Sequence, residues 1–187
     1  MSAELWLIRH GETEWSRSGA HTGRTDVPLT PEGEEHARVL GSRLSGRRFA
    51  LVLSSPLRRA LDTSRLAGFG DAVRIAGELR EWDYGEYEGR TTADIRKETP
   101  GWSIWTGGAP GGETVEQVAG RARRVIEQAA GAGGDVALFG HGHLLRVLAA
   151  CWMGLEPAAG RLLALGTGSI SVLGYERETR VIVRWNQ

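Results

Sequence analysis

Apolar runs and amphipathic stretches alternate along the chain. Apolar runs lie at positions 5–8, 50–53 and 135–139, the last of which opens with Asp135, and polar residues or glycine follow each run, which predicts short buried strands. Between residues 114 and 130, apolar side chains recur three or four positions apart, which predicts a long helix. Further helices are predicted over residues 30–46, 55–68, 92–98 and 144–153, and a hairpin over residues 169–185.

Capping signals mark three of the predicted helix starts. Thr30-Pro31 and Ser55-Pro56 each pair a capping side chain with a proline suited to the first helical position. Thr114 and Gln117 match a capping box for the long helix. If the second helix starts at Ser55, both Arg58 and Arg59 fall in its first turn.

Strands that alternate with helices are typical of an α/β fold. The pattern predicts a three-layer α/β/α sandwich with a mostly parallel central sheet and helices on both faces. A length of 187 residues suits one domain, and no repeat, low-complexity tract or linker divides the chain. We therefore predict a single domain over residues 1–187.

Arginines and histidines follow the three apolar runs. They are Arg9 and His10 after the first, Arg58 and Arg59 after the second, and His141 and His143 after the third. If the strands are parallel, right-handed crossovers bring all three strand ends to one edge of the sheet. Buried cations without partners are costly, so such a cluster needs an anion, and a phosphate dianion fits.

The same residues allow other interpretations. Arg9-His10-Gly11 could simply be the basic end of a strand, although Gly11 lacks the Cβ that would keep a ligand from the backbone. A metal could be ligated by His10, His141 and His143, but the neighbouring arginines would repel a divalent cation. We therefore predict no metal, and we predict no other cofactor. A Ser-His-Asp triad has no nucleophile-elbow sequence to support it.

Composition narrows the classes of partner. Lys and Arg together number 23, as do Asp and Glu, so the net charge of zero predicts neither a nucleic-acid nor an anionic-membrane partner. The single cysteine, Cys151, lies in an apolar run and is expected to be a core thiol, without disulfide or zinc. No stretch resembles a membrane span or signal peptide, so we expect a cytoplasmic protein. Oligomeric state has no signature in the sequence.

Four motifs, in the same order along the chain, resemble those of one family. They are Arg-His-Gly-Glu-Thr at 9–13, Ser-Ser-Pro-Leu-Arg-Arg-Ala at 54–60, Leu-Arg-Glu with Tyr-Gly and Glu-Gly at 79–89, and Phe-Gly-His-Gly at 139–142. This set is similar to the histidine phosphatase superfamily, also called phosphoglycerate-mutase-like, and it spans nearly the whole chain.

A closer resemblance is to one branch of that family. Residues 13–16, 22–23, 140–143 and 167–175 look like the fungal sedoheptulose-bisphosphatase branch and its actinobacterial phosphatase relatives. Two positions depart from the wider family pattern. Ser16 stands where most members have Asn, and His143 replaces a residue that is often Asn or Gly.

The resemblance implies ping-pong phosphoryl transfer. His10 would attack phosphorus and become phosphohistidine, while Arg9, Arg59 and His141 would bind the equatorial oxygens. Glu81 would protonate the leaving oxygen and then serve as the base for water. Spacing alone does not separate Glu81 from four neighbouring carboxylates: Asp83, Glu86, Glu88 and Glu113.

Weaker candidates for contacts with phosphate or substrate surround these residues. They are Thr13, Ser16, Thr22, Gly23, Gly142 and His143, several of which could equally be turn residues. Trp15, Trp82, Tyr84, Trp102 and Trp105 could stack on a sugar ring or anchor long loops. For a second phosphate, the candidate cations are Arg24, Arg90, Lys97 and Arg146.

The expected partner is a small phosphorylated metabolite such as a sugar phosphate or bisphosphate. Residues 110–114 are similar to the phosphatase-type motif of the family, and the chain lacks the longer lid insertions and tail of family mutases, which favours hydrolysis. A phosphoglycerate mutase and a non-catalytic module that binds phosphosugars or phosphoproteins remain alternatives.

Overall fold

The computed structural model describes residues 3–187 and shows a mixed, mostly parallel sheet of six strands. The strands are β1 (Leu5–Arg9), β2 (Leu51–Ser54), β3 (Val73–Ile75), β4 (Val136–Gly140), β5 (Ile170–Glu176) and β6 (Thr179–Arg184). Their order in the sheet is β3-β2-β4-β1-β5-β6. The first four are mutually parallel, whereas β5 runs antiparallel to β1 and forms a hairpin with β6.

Seven α-helices connect or flank these strands in residues 3–187. They are α1 (Glu14–Ser18), α2 (Pro31–Leu44), α3 (Arg58–Ser64), α4 (Thr92–Glu98), α5 (Ile104–Gly107), α6 (Val115–Ala130) and α7 (Gly142–Trp152). A π-helical segment, Arg65–Phe69, continues α3, and short 3₁₀ turns follow at Gly77–Leu79, Gly85–Tyr87 and Pro157–Leu162. None of the helices in the described range is long and apolar enough to cross a bilayer.

The sheet separates two apolar cores because successive side chains of a strand point to opposite faces. Leu5 and Leu7 of β1 pack with α6 and α7, whereas Trp6 and Ile8 pack with α2 and the π-helical segment. Burial on both faces explains why β1 and β4 are continuous apolar runs. The prediction of a three-layer α/β/α fold is confirmed.

Strand register sets the position of the polar strand ends. Arg9 pairs with Gly140, and Ser54 pairs with Phe139, so β1, β2 and β4 end side by side. The next residues, His10, Ser55 and His141, therefore emerge at the same edge of the sheet. This arrangement agrees with the general rule that α/β proteins bind ligands beyond the carboxyl ends of their strands.

One predicted helix start is wrong. The second helix begins at Arg58 with Leu57 as its N-cap, so Ser55 and Pro56 lie before it. The Ser55 hydroxyl instead hydrogen-bonds His141, 2.8 Å from Nε2. By contrast, the predicted caps at Thr30 and Thr114 are confirmed.

Three short elements were not predicted: α1, β3 and α5. They contain five, three and four residues, fewer than the length over which a hydrophobic period can be recognised. Of these, α1 and α5 matter for the site, since Ser16 of α1 and Trp105 of α5 line the cavity described next.

Candidate active site

A cavity of about 360 Å³ opens at the carboxyl edge of the sheet. Its floor is formed by the end of β1 and the first turn of α7, and its walls by α1 with the loop that follows it and by the segment between β3 and α6. The predicted site residues that line it are Arg9, His10, Ser16, Thr22, Glu81, Gly142 and His143. The structure thus brings residues from distant parts of the chain together around a space much larger than a phosphate.

His10 lies at the floor with a defined tautomer. Its Nδ1 is 2.7 Å from the Gly11 carbonyl oxygen, and because a carbonyl can only accept, Nδ1 carries the proton. The Nε2 lone pair is therefore free. Burial, reinforced by the charges of Arg9 and Arg59, holds the pKa of His10 well below its usual value. The ring is neutral at pH 7, as a nucleophile must be.

Gly11 matters for packing, not for ligand approach as expected. A Cβ at Gly11 would overlap the carbonyl oxygen of Gly33 in α2. The amide N–H of Gly11 donates to Thr63 Oγ1 at 3.0 Å. Gly11 therefore lets the β1 end pack closely against α2 and α3, which fixes the backbone that holds His10.

Arg9 provides unpaired donors at the same floor. Its Nη1 donates to the Leu165 carbonyl, whereas its Nε is buried and has no hydrogen-bond partner within residues 3–187. Burial lowers the pKa of Arg9 from its ordinary value, since a buried guanidinium without a counter-ion is poorly solvated. A Cβ at Gly142 would lie 3.2 Å from Arg9 Cζ, so the absence of a side chain at Gly142 lets the guanidinium pack against this backbone. The N–H groups of Arg9 that have no partner are suited to bind an anion.

His141 lies beside His10 with both ring nitrogens engaged. The two ring centroids are 5.1 Å apart. Arg59 Nε donates to His141 Nδ1 at 3.1 Å, so Nε2 carries the proton and donates to Ser55 Oγ at 2.8 Å. Burial, then the charge of Arg59, holds the pKa of His141 well below its usual value, and the imidazole is neutral.

Arg59 is fully buried behind this pair. Besides the bond to His141, it donates to the carbonyls of Thr22 at 2.9 Å, Gly23 at 3.1 Å and Thr25 at 2.9 Å. Four of the five guanidinium N–H groups thus have protein partners in this structure. Arg59 fixes the loop before α2 and the orientation of His141.

Glu81 faces the first turn of α7. Its Oε1 accepts from the backbone N–H of Trp82 and Leu144, both at 2.9 Å, and its Oε2 accepts from that of His143 at 3.0 Å. Two carboxylate oxygens offer about four lone-pair sites, so one site on Oε2 is left without a protein partner. Glu81 can hold a proton at that position.

The structure separates Glu81 from the four competing carboxylates, because only Glu81 among them lines the cavity. Asp83 pairs with Arg24, Glu113 pairs with Arg121, Glu88 accepts backbone N–H groups, and Glu86 is exposed.

Two of the weaker candidates lie behind the cavity wall. Thr13 is fully buried and caps α1 through a capping box with Ser16. Gly23 donates its N–H to the carboxylate of Glu88 at 2.9 Å. Neither residue lines the cavity, in contrast to Ser16 and Thr22.

Other lining residues were missed by sequence reasoning. They are Gly19, Ala20, His21, Thr92, Arg96, Ser103, Ile104 and Leu165. His21 offered a weak signal, as a histidine directly before the Thr-Gly pair. Arg96 offered none, because a cation in a short predicted helix is normally solvated.

The metal interpretation finds no support in the geometry. Within residues 3–187, no group of three His, Cys, Asp or Glu side chains is placed to hold a metal ion. His141 has both ring nitrogens engaged by Arg59 and Ser55. Independence from metals stays a prediction.

Acidification should destabilise the fold through three neutral histidines. Burial is the largest cause that lowers the pKa of His10, His141 and His143. Below pH 6.5 the unfolded chain binds protons that the native protein does not, so the free energy of unfolding falls as pH falls. Well below pH 6.5 the slope approaches about 1.4 kcal/mol per pH unit for each histidine, or about 4 kcal/mol for three, and His21, whose pKa burial also lowers, adds to it.

Urea unfolding at pH 7.0 and 5.5 measures this slope above the range in which most carboxylates titrate. His143→Gln should remove about a third of it. An unfolding free energy that does not change between the two pH values would contradict the neutral assignments.

Comparisons with known proteins agree with this geometry. The sequence profile described as histidine phosphatase superfamily (branch 1) matches residues 5–187. An acid phosphatase of Mycobacterium tuberculosis is 43% identical over 180 residues, covering 94% of this chain and 88% of the relative. A sedoheptulose 1,7-bisphosphatase of Saccharomyces cerevisiae is 37% identical over 182 residues, covering 80% of this chain and 67% of the relative.

A solved structure shows the same fold. The protein from an open reading frame of Mycobacterium tuberculosis superposes with a TM-score of 0.94 at 41% sequence identity, covering 98% of this chain and 97% of that protein. The profile match covers nearly the whole chain and includes all four motifs. The chain therefore belongs to the histidine phosphatase superfamily, branch 1.

Proposed function

We propose that the protein is a phosphomonoesterase that acts on small phosphorylated sugars through a phosphohistidine intermediate. The observation that carries the proposal is the pairing of a neutral His10, whose Nε2 is free, with the guanidinium of Arg9, which lines the same cavity and whose Nη2 has no hydrogen-bond partner within residues 3–187. A nucleophile and an anion donor thus face one cavity. The phosphatase names of the relatives support the same chemistry.

In the first half-reaction, Nε2 of His10 attacks phosphorus, and the bond from phosphorus to the leaving oxygen breaks. Glu81 gives its proton from Oε2 to that oxygen. Arg9 donates to the equatorial oxygens, where charge must be stabilised. His141 is fully buried and its Nε2–H donates to Ser55 in this structure, so it binds the phosphate by exchanging the Ser55 hydroxyl for a phosphate oxygen.

In the second half-reaction, water attacks phosphorus opposite Nε2 of His10, and the N–P bond breaks. Glu81 takes the proton of the water, which restores its starting state. Arg59, fully buried behind His141, orients that ring, and its one remaining N–H on Nη1 is the donor that it can offer to the phosphate. No step needs a metal, since two guanidinium groups supply the positive charge.

The shape and lining of the cavity favour a sugar as leaving group. Trp102, Trp105, Tyr84 and His21 give it aromatic walls, against which a sugar ring can stack. Ser16, Thr22 and His143 add polar contacts, and Gly142 exposes backbone near Arg9. Thr13 and Gly23 support this wall from behind. Trp15 and Trp82, also candidates for stacking, are not among the lining residues.

Two arginines at the cavity wall suit a second anionic group. Arg146 stacks on Trp105 and donates to the carbonyls of Gly160 and Arg161, which leaves its Nη1 without a protein partner in the described range. Arg96 is held by the Trp102 carbonyl through its Nε. The hydrogen bonds that both arginines make within residues 3–187 are to backbone carbonyls and not to carboxylates.

The other cations predicted for a second phosphate are placed elsewhere. Arg90 pairs with Glu98, and Lys97 pairs with Asp94. Arg24 pairs with Asp83 beside a different cavity. Of the four predicted cations, Arg146 is the one that lines the candidate site.

A side-by-side assay on enzyme dialysed against EDTA tests the function. Sedoheptulose 1,7-bisphosphate, a sugar monophosphate, 3-phosphoglycerate and phosphotyrosine are compared at fixed ionic strength, with released phosphate and product isomers both measured. We expect the highest kcat/KM for the sugar bisphosphate and negligible exchange of 2- and 3-phosphoglycerate. If the isomers exchange faster than phosphate is released, the protein is a mutase. If no substrate is turned over, it is a binding module.

Arg146→Gln should lower kcat/KM for a sugar bisphosphate by about 10- to 100-fold, the scale of a hydrogen bond to a charged group. The loss on p-nitrophenyl phosphate should be smaller, because that substrate carries no second anion. Arg90→Gln is the matched control, since Arg90 pairs with Glu98 outside the cavity. Equal losses on both substrates in Arg146→Gln would rule out a second anion site at this arginine.

A further inference from the structure

One hydrogen bond in the cavity wall has no part in the reaction as described. Tyr84 Oη lies 2.7 Å from His143 Nδ1. The two rings meet edge to face at 5.8 Å, and His21 packs on Tyr84 at 4.7 Å between centroids. Both Tyr84 and His143 line the cavity.

The direction of this hydrogen bond follows from the surroundings of Tyr84. Its ring is almost completely buried, and burial raises the pKa of Tyr84 well above its usual value, so the hydroxyl keeps its proton. A buried hydroxyl donates wherever an acceptor is present. His143 Nδ1 is its one hydrogen-bond partner within residues 3–187, so Tyr84 donates and Nδ1 accepts.

The other ring nitrogen of His143 faces the cavity. Burial and the nearby charge of Arg146 hold the pKa of His143 well below its usual value, so the ring carries a single proton. With Nδ1 accepting, that proton is on Nε2. Nε2 has no protein partner in the described range. It is also not among the side-chain atoms that are buried without a partner, so it is open to solvent. The result is a neutral N–H donor open to the leaving-group side.

We infer that Tyr84 and His143 form a fixed donor for an uncharged oxygen of the leaving group, a hydroxyl or carbonyl of a polyol. His143 makes the contact, and Tyr84 is a positioning residue that fixes the tautomer. This inference rests on the proposed function and adds to it. Arg96 and Arg146 are the donors available for charged groups of the substrate, which leaves the N–H of His143 for an uncharged oxygen. A substrate that lacks such an oxygen leaves the donor unpaired, which is costly.

The tautomer can be tested on the free enzyme, without any substrate. Long-range ¹H–¹⁵N correlation spectra of ¹⁵N-histidine-labelled protein at pH 7 distinguish Nδ1–H from Nε2–H rings. We expect His143, assigned by its loss in His143→Gln, to carry its proton on Nε2. In Tyr84→Phe the same ring should become a mixture of both tautomers. A wild-type His143 protonated on Nδ1 would overturn the inference.

The specificity can be tested with glycerol 1-phosphate and propyl phosphate, which differ only in two hydroxyl groups. The ratio of their kcat/KM values should favour glycerol 1-phosphate. Tyr84→Phe should lower this ratio by about 2- to 10-fold, the net worth of one neutral hydrogen bond. Tyr87→Phe is the matched control, because Tyr87 packs on Trp102 but does not line the cavity.

The outcomes separate this inference from the proposed function. A ratio that is the same in Tyr84→Phe and the wild type overturns the inference, even if phosphatase activity is intact. Wild-type enzyme without turnover on any phosphate ester contradicts the proposed function, and the spectra of the free enzyme then decide the tautomer by themselves. Thermal unfolding of each variant shows whether a lower ratio of kcat/KM values is caused by a loss of folded protein.

Discussion

His10→Ala should abolish turnover of every phosphate ester. The expected loss exceeds about 10³-fold, because removal of the nucleophile of a serine protease costs about 10⁶-fold. The physical reason is that Nε2 of His10 is a free lone pair at the cavity floor, held by the bond from Nδ1 to the Gly11 carbonyl. Steady-state phosphate release and rapid-quench trapping with labelled substrate measure the effect.

The quench experiment separates a nucleophile from a binding residue. Wild-type enzyme should yield an acid-labile, base-stable phosphoryl adduct, whereas His10→Ala should yield none. His36→Ala is the matched control, since His36 is exposed on α2 and does not line the cavity. A labelled adduct in His10→Ala, or turnover near that of the wild type, would show that another group attacks phosphorus.

The position of the site can be predicted from sequence because strand ends are easy to recognise. Each of β1 and β4 is a continuous apolar run that stops at a polar residue, and parallel strands end at one edge. His10 and His141 therefore had to lie close together, and their rings are 5.1 Å apart. This inference needs only strand direction, which the alternation of strands and helices supplies.

The environment of Arg59 was beyond sequence reasoning. Its place in the first turn of α3 is correct, but its donors turn to carbonyls of the loop at Thr22, Gly23 and Thr25. That loop has no hydrophobic period, so nothing in the sequence shows where it folds. Ser55 is a similar case: the Ser-Pro pair is a good capping signal, but the hydroxyl holds His141 instead.

The leaving-group wall was predicted only in part. Tyr84, Trp102, Trp105 and Arg146 were expected near the site, and they line it. Arg96 was not, because its role depends on the Trp102 carbonyl that anchors it, a contact between α4 and the loop that follows. Contacts of this kind are tertiary, and local sequence patterns do not encode them.

Glu81→Gln should reduce kcat/KM by about 10²- to 10⁴-fold on a sugar phosphate, the usual contribution of general acid–base catalysis. The loss should be smaller with p-nitrophenyl phosphate, because p-nitrophenolate leaves without a proton. A glutamine also replaces one acceptor oxygen with an amide, so at least one N–H of Trp82, His143 or Leu144 loses its partner. Thermal unfolding must therefore accompany the kinetics.

Glu86→Gln is the control for this prediction. Glu86 lies five residues away in the same acidic segment, is exposed and does not line the cavity, so its variant should match the wild type on both substrates. The decisive quantity is the ratio of the two losses in Glu81→Gln. A proton donor gives a larger loss on the poor leaving group, whereas a residue that only supports the first turn of α7 lowers both rates equally. Equal losses would therefore remove Glu81 from the proton-transfer step and leave it as a structural cap of that helix.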